Sequence, residues 1–177
     1  GLSRATTILL SGVVFFSTTT GSNGNDNNTI TSCDIRDGAT TPNNGVYSAG
    51  STTTAATNNS GNTISNNNIF NFFNATASEN GIFLSSGNSD WTITGNSIYQ
   101  TASRTETSSA TESGITISSS AGNNFVVTNN FIGGTAPSAG GTAWTIGGSI
   151  ANRFRGISLS VGSTTASSVQ GNTIANF

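Results

Sequence analysis

Two glutamates occupy the positions in this chain that are best placed for acid chemistry. Glu79 and Glu112 each stand two residues before a glycine that is followed by an aliphatic residue. Strands of equal phase would stack the two carboxylates about 5 Å apart. A like charge at that distance raises the pKa of a carboxylate, so the pair is a candidate for catalysis or for a calcium site. The equivalent positions in other repeats are Asn43 and Phe154, which favours the alternative that both glutamates are solvated at the entry to a loop.

The remaining acidic residues are scattered along the chain, and histidine is absent. These acids are Asp26, Asp34, Asp37, Asp90 and Glu106. Without histidine a Ser-His-acid triad is excluded, and with Cys33 as the single cysteine so are an internal disulfide and a Cys/His zinc site. We therefore predict no catalytic residue beyond the two candidate glutamates, no metal site and no cofactor, with calcium as the alternative.

Four aromatic residues are the candidates for carbohydrate binding, because flat apolar faces with a polar rim stack on sugar rings. They are Tyr47, Trp91, Tyr99 and Trp144. Trp91 lies directly before a predicted strand, so the alternative for it is a residue packed under a loop.

A repeat predicts the elements that position these residues. Its signature is an aliphatic residue, two variable residues, usually Asn, one variable residue and then Ile, and it begins at Ile30, Ile64, Ile93, Val127 and Val169. A second signature, glycine followed by alternating aliphatic residues, begins at Gly45, Gly81, Gly114 and Gly156. The first signature recurs at intervals of 34, 29, 34 and 42 residues. A constant core with a varying interval predicts a solenoid whose loops absorb the difference.

Each signature alternates apolar and polar residues, which predicts a short strand with one buried face. The inward positions are Ile30, Ile35, Ile64, Ile69, Ile82, Leu84, Ile93, Ile98, Ile115, Ile117, Val127, Ile132, Ile157, Leu159, Val169 and Ile174. The apolar run up to Phe16 is also predicted as a strand, since it is too short to cross a membrane.

The constant position of asparagine within the repeat predicts a structural ladder at the corner between two strands. The stacked residues are Asn67, Asn96, Asn130 and Asn172, with Cys33 below them and Ser11, in the frame from Ile8 to Val13, below that. Asparagine tolerates the left-handed backbone of a corner, and its amide both donates and accepts hydrogen bonds. Cys33 is expected to be a buried free thiol where the amide rungs end.

These signatures resemble the right-handed parallel β-helix of the pectate-lyase-like superfamily, which includes polysaccharide lyases, tailspikes and many bacterial surface or secreted proteins. The resemblance covers roughly Leu2 to Phe177. It implies an all-β solenoid of about five coils with variable loops and an asparagine ladder. Residues 1–177 are expected to form a single domain, with the alternative that this domain is one segment of a longer or polymerising chain.

Composition narrows the classes of function. Charged residues make up 7% of the chain, against roughly 25% in typical globular domains. A net charge of -2 with no lysine leaves no basic patch for nucleic acid. We therefore expect first a structural extracellular or cell-surface scaffold, such as a stalk or filament subunit, that associates head to tail or packs against flanking coils of a parent protein.

Two other classes of function stay open. A carbohydrate-binding or polysaccharide-cleaving module is the second expectation, with polysaccharide as the partner. The third is ice binding, because Thr29 and Thr31, with their equivalents in the next repeats, would form two outward hydroxyl columns. Val126 and Gln170 interrupt those columns, and threonine is also a favourable residue for any solvated strand.

Overall fold

The regular secondary structure of the chain consists almost entirely of short parallel strands, in a computed structural model that describes residues 10–177. Three five-stranded sheets contain most of these strands. Sheet A is formed by β1 (Val14–Phe16), β4 (Asn44–Ser48), β8 (Glu79–Leu84), β13 (Thr111–Ser119) and β17 (Arg153–Val161). Sheet B is formed by β2 (Thr29–Thr31), β6 (Thr63–Ser65), β10 (Thr92–Thr94), β14 (Val126–Thr128) and β18 (Ser168–Gln170). Sheet C is formed by β3 (Asp34–Ile35), β7 (Asn68–Phe70), β11 (Ser97–Tyr99), β15 (Phe131–Ile132) and β19 (Thr173–Ile174).

The chain passes through sheets A, B and C in the same order five times, and one such passage is called a coil below. Two further pairs of parallel strands join the loops of neighbouring coils. They are β5 (Asn59–Ser60) with β9 (Asn88–Ser89), and β12 (Arg104–Thr105) with β16 (Ile146–Gly147). A 3-10 turn spans Ala55–Thr57. This arrangement is compatible with the predicted parallel β-helix. In the described part of the chain, no helix has the length and apolar character needed to cross a membrane.

Apolar side chains from alternate strand positions fill the space between the three sheets. All predicted inward residues from Ile30 to Leu159 lie in the core or pack against it. Val169 and Ile174 are exceptions, at 46% and 49% exposed, because they lie on β18 and β19 at the edges of sheets B and C. Large aromatic residues also enter the core, which the repeat did not predict. They are Phe72, Trp91, Phe125 and Trp144.

The glycines of the second signature let neighbouring coils approach closely. A Cβ atom at Gly81 would lie 2.6 Å from Cγ2 of Ile98 and 2.7 Å from the carbonyl oxygen of Gly114. At Gly114 it would lie 2.6 Å from Cγ2 of Ile132 and 2.7 Å from the carbonyl oxygen of Gly156. Any side chain larger than hydrogen would therefore push apart the backbones of sheet A.

The asparagine ladder is confirmed. The side-chain Nδ2 of Asn67, Asn96 and Asn130 donates to Oδ1 of the next asparagine in the stack at 2.9 Å, ending at Asn172. Each Oδ1 also accepts the backbone N–H of the residue in the preceding coil, beginning with Cys33 at 3.0 Å. Both the main chain and the side chains of successive coils are thus linked along the axis.

The expected left-handed backbone lies one residue earlier than predicted. The residues directly before Cys33 and the ladder asparagines have φ between 54° and 67°, and these are Ser32, Asn66, Gly95, Asn129 and Gly171. The prediction for the ladder residues themselves is wrong, because the preceding residue turns the chain and leaves the ladder amide free to point along the stack.

Two predictions at the first coil are also wrong. Cys33 is exposed rather than buried, with its Sγ 3.2 Å from the carbonyl oxygen of Thr31. Ser11 does not extend the ladder, since its carbonyl oxygen accepts a hydrogen bond from Nδ2 of Asn44, beside sheet A. The reason is the register: Val14 pairs with Val46, so the apolar run leads into sheet A. Residues 1–9, including Leu2 and Ile8, lie outside the described residues.

Candidate functional site

Glu79 and Glu112 are direct neighbours on β8 and β13, as the phase of the repeat predicts. The next strand places Phe154 beside Glu112. On the other side, Asn43 precedes β4, and its carbonyl oxygen accepts the backbone N–H of Asn80 at 3.2 Å. The column of equivalent positions therefore runs from Asn43 through the two glutamates to Phe154.

Both glutamates face the interior. Each is 0% exposed, so the expectation of solvated residues at a loop entry is wrong. The following residues, Asn80 and Ser113, line a groove on the outer face of sheet A. Because side chains alternate along a strand, this turns Glu79 and Glu112 to the inner face.

A third carboxyl group, that of Glu106, joins them from the loop between β11 and β13. Ligand oxygens of Glu79, Glu106 and Glu112 all lie within 4.8 Å of one another. Glu106 is 2% exposed, and its backbone N–H donates to the carbonyl oxygen of Gly147 at 3.2 Å. The cluster formed by these three residues is called the glutamate cluster below. Three of the seven acidic residues thus converge, so the prediction of a scattered position is wrong for Glu106.

Sequence reasoning missed Glu106 because its position follows from loop pairing. β12 and β16 bring together two loops of unequal length, and neither loop carries the repeat signature. The one available signal was its location in the loop that precedes Glu112.

The six carboxylate oxygens of the glutamate cluster are buried and have no hydrogen-bond partner. Burial raises the pKa of Glu79 to about 10, and the charges of Glu112 and Glu106 add to that effect. Burial, followed by the charge of Glu106, raises the pKa of Glu112 to about 8. Burial also raises the pKa of Glu106. Three adjacent carboxyl groups in this environment require protons or a cation to balance their charge.

Trp144 lies against Glu112 of the glutamate cluster, from the loop that precedes β16. Its ring is 3% exposed and packs edge to face on Phe72 and Phe154, with centroids 5.8 and 5.4 Å apart. The indole N–H is directed at Glu112 and lowers the pKa of that carboxyl, although it forms no hydrogen bond of standard geometry. The tryptophan is therefore part of the core and places one donor against the cluster.

Arg104 is a positive charge that acts on the glutamate cluster without forming an ion pair with it. Its charge lowers the pKa of Glu112. Its Nε donates to Oε1 of Gln100 at 3.1 Å, and its guanidinium lies 5.7 Å from the ring centroid of Phe73. Among the described residues, the ion pair found joins Arg36 to Asp37 instead.

The four aromatic candidates for sugar stacking are all buried. Tyr47, Trp91, Tyr99 and Trp144 are between 0% and 6% exposed. Trp91 packs in the core, where its Nε1 donates to the carbonyl oxygen of Asn59 at 2.8 Å. Tyr99 stacks on Phe70 with centroids 4.8 Å apart. Protein therefore surrounds these rings, and their stacking on sugars stays a prediction.

The hydroxyl columns of sheet B have the predicted register. Thr29 aligns with Thr63, Thr92, Val126 and Ser168, and the second column runs from Thr31 to Gln170. Hydroxyl groups bond along the second column, from Ser65 to Thr31 and from Thr128 to Thr94, at 3.1 Å in each case. Ice binding by these columns stays a prediction.

Comparisons of the chain with models of protein families, with curated proteins and with solved structures find no match.

Proposed function

We propose that this chain is a structural scaffold: a right-handed parallel β-helix of the pectate-lyase-like, bacterial surface or secreted type, acting as a stalk or filament subunit outside the cell. The observation that carries the proposal is the asparagine ladder from Cys33 to Asn172, which links every successive coil by side-chain and main-chain hydrogen bonds. Such one-dimensional stacking gives a rod whose stability is the sum of its coil contacts.

The location of the glutamate cluster supports a structural role over polysaccharide cleavage. A polymeric substrate would have to reach carboxyl groups that are 0% to 2% exposed. Cleavage by a carboxyl pair requires both groups to flank the scissile bond. The buried cluster is better suited to holding loops and sheets together.

The apolar surface at the two ends supports self-association. Among residues 10–177, the exposed large hydrophobic residues all belong to the first and last coils, and they are Leu10, Val13, Phe15, Val169, Ile174 and Phe177. The strand edges at these two ends also differ, with β1, β2 and β3 at one end and β17, β18 and β19 at the other. A contact between unlike ends is heterologous and propagates without closing. The proposed partner is therefore a second copy of the chain, stacked head to tail.

Sedimentation velocity across a concentration series, with electron microscopy of the same samples, tests this proposal. We expect species that grow with concentration and filaments of uniform width. The variant Ile174→Asp should shorten them, because it places a charge on the stacking face, whereas Thr173→Asp on the outer side of the same strand should not. A wild-type sample that stays monomeric at every concentration contradicts the filament role.

One observation favours carbohydrate binding as a second candidate, at residues other than those predicted. A groove of about 400 Å³ on the outer face of sheet A is lined by Asn80, Phe83, Thr116 and Arg155, among others. An aromatic face, amide and hydroxyl groups and an exposed arginine suit an acidic sugar. Carbohydrate binding predicts that a column of acidic polysaccharide retains the wild-type protein and a column of neutral polysaccharide does not. Arg155→Ala should lose this retention, and Arg153→Ala should keep it. A wild-type protein that neither column retains would contradict carbohydrate binding.

A further inference from the structure

We propose that the glutamate cluster binds a divalent metal ion of the calcium class inside the stack of coils. This inference goes beyond the scaffold role and does not depend on self-association.

The donor set fits a hard cation. Calcium takes six to eight oxygen ligands at about 2.3–2.6 Å, so two oxygens on one ion lie at most about 5 Å apart. The ligand oxygens of Glu79, Glu106 and Glu112 all lie within 4.8 Å of one another. None of the six carboxylate oxygens has a hydrogen-bond partner, so all are available to an ion.

Asn43 provides an independent sign that a ligand is held here. Its side chain is 4% exposed, and its Oδ1 is buried without a partner, while its Nδ2 donates to the carbonyl oxygen of Ser78 at 2.9 Å. The next residue, Asn44, faces outward, where its Oδ1 accepts from Nδ2 of Asn80 at 2.9 Å. Alternation along the chain therefore turns Asn43 to the inner face, beside Glu79. Amide oxygens are ordinary calcium ligands. With Oδ1 of Asn43, the number of buried oxygens without a hydrogen-bond partner at this place rises to seven.

The surroundings of the cluster favour calcium over magnesium. Magnesium retains several waters and requires a near-octahedral shell, whereas calcium accepts a flexible shell made of protein oxygens. Trp144 and Phe154 close one side of the site with apolar rings, which leaves little room for a water shell. A groove of about 260 Å³ opens beside the strand glutamates, lined by Ser78 and Thr111, the residues that precede them.

The ion would join three parts of the chain. Glu79 and Glu112 come from neighbouring strands of sheet A, and Glu106 comes from the loop that β12 ties to β16. Binding would therefore fasten this loop to the sheet and balance the negative charge that burial makes costly.

Terbium luminescence tests the site directly, because Tb³⁺ replaces Ca²⁺ and emits when a nearby tryptophan is excited. Protein stripped with a chelator and held near pH 8 should give saturable emission that Ca²⁺ suppresses by competition. Trp144→Phe should lose most of the emission, because the indole lies against Glu112. Trp91→Phe is the matched control for a buried tryptophan and should keep it.

Thermal unfolding gives a second measurement that needs no tryptophan. Calcium at about 100 times its Kd should raise the wild-type Tm by about 5–10 °C. Glu79→Gln and Glu112→Gln should lose this shift, and Asp34→Asn, at an exposed acid, should keep it. These glutamine variants remove a buried charge at constant shape, so they should fold in calcium-free buffer.

The wild-type protein alone can overturn the proposal. If millimolar Ca²⁺ leaves the wild-type Tm unchanged and Tb³⁺ gives no saturable emission, the cluster does not bind a cation of this class. If binding occurs but both glutamine variants retain it, the ion lies elsewhere and this site is wrong.

Discussion

Glu79 and Glu112 lie side by side on neighbouring strands and are completely buried, with none of their four carboxylate oxygens in a hydrogen bond. In most folds such a pair would destabilise the protein by leaving charge unpaired in the interior. Here Glu106 adds a third carboxyl group at the same place. The cluster is therefore the part of the molecule where stability depends most strongly on protons and cations.

In metal-free buffer, the free energy of unfolding should fall as pH rises. The pKa of Glu79 is raised to about 10 and that of Glu112 to about 8, from an ordinary value of 4.5. Between pH 4.5 and those values, the folded chain keeps protons that the unfolded chain has lost. Each affected group costs up to about 1.4 kcal/mol per pH unit in that window.

Urea unfolding from about pH 5 to pH 8 in the presence of a chelator measures this effect. Glu79→Gln should flatten the dependence, because glutamine has no proton to keep. A wild-type stability that rises over the same window would contradict the burial of these carboxyl groups.

Removing a central rung of the ladder should be costly. Nδ2 of Asn96 donates to Asn130 and to the carbonyl oxygen of Ile64, and its Oδ1 accepts from the backbone and side chain of Asn67. Asn96→Ala leaves these buried partners unsatisfied, so we expect a loss of about 3 kcal/mol in unfolding free energy.

Asn172→Ala is the matched control at the last rung, where the side chain is half-buried. It should cost only about 1 kcal/mol, because water can replace the lost bonds. Chemical denaturation of both variants gives the comparison. Equal losses of unfolding free energy in the two variants would contradict the expectation that a buried rung contributes more to stability than a half-buried one.

A methyl group at the glycine of the second signature should also destabilise the protein. At Gly114 the new Cβ would lie 2.7 Å from the carbonyl oxygen of Gly156, which cannot move without shifting β17. We expect Gly114→Ala to cost about 2–3 kcal/mol through overpacking. Gly38→Ala, where no atom lies within 4 Å of the new Cβ, should be nearly neutral in the same thermal unfolding assay.

Cys33 should react with a thiol reagent in the folded protein. Its side chain is exposed on the first coil, so modification should proceed without denaturant. The measurement is the rate of thiol labelling with and without urea. Labelling that occurs only in urea would mean that the thiol of Cys33 is buried, as the repeat predicts.

The repeat was sufficient to predict which residues stack, because identical short strands can align in few ways. The pairing of Ile64 with Ile93 and of Glu79 with Glu112 follows from phase alone. The ladder follows from the same spacing, although its left-handed turn lies one residue earlier, at positions such as Asn66.

The repeat could not predict what the loops bring to the site. Glu106 and Trp144 lie in loops of different length without periodic pattern, and pairing of β12 with β16 fixes their positions. Alternation from the outward residues Asn80 and Ser113 turns Glu79 and Glu112 to the inner face. The sequence left that face open, because a glycine stands between each of these strand segments and the inward aliphatic residues.

Hydrogen exchange of the side-chain amides measures most directly whether the asparagine ladder joins the coils in solution. The Nδ2 protons of Asn96 and Asn130 should exchange only through global unfolding, because both amides are buried and bonded to the next coil. The Nδ2 protons of Asn23, an exposed residue, should exchange much faster. If the protons of Asn96 exchange as fast as those of Asn23, the coils are not joined by an asparagine ladder and the scaffold account is wrong.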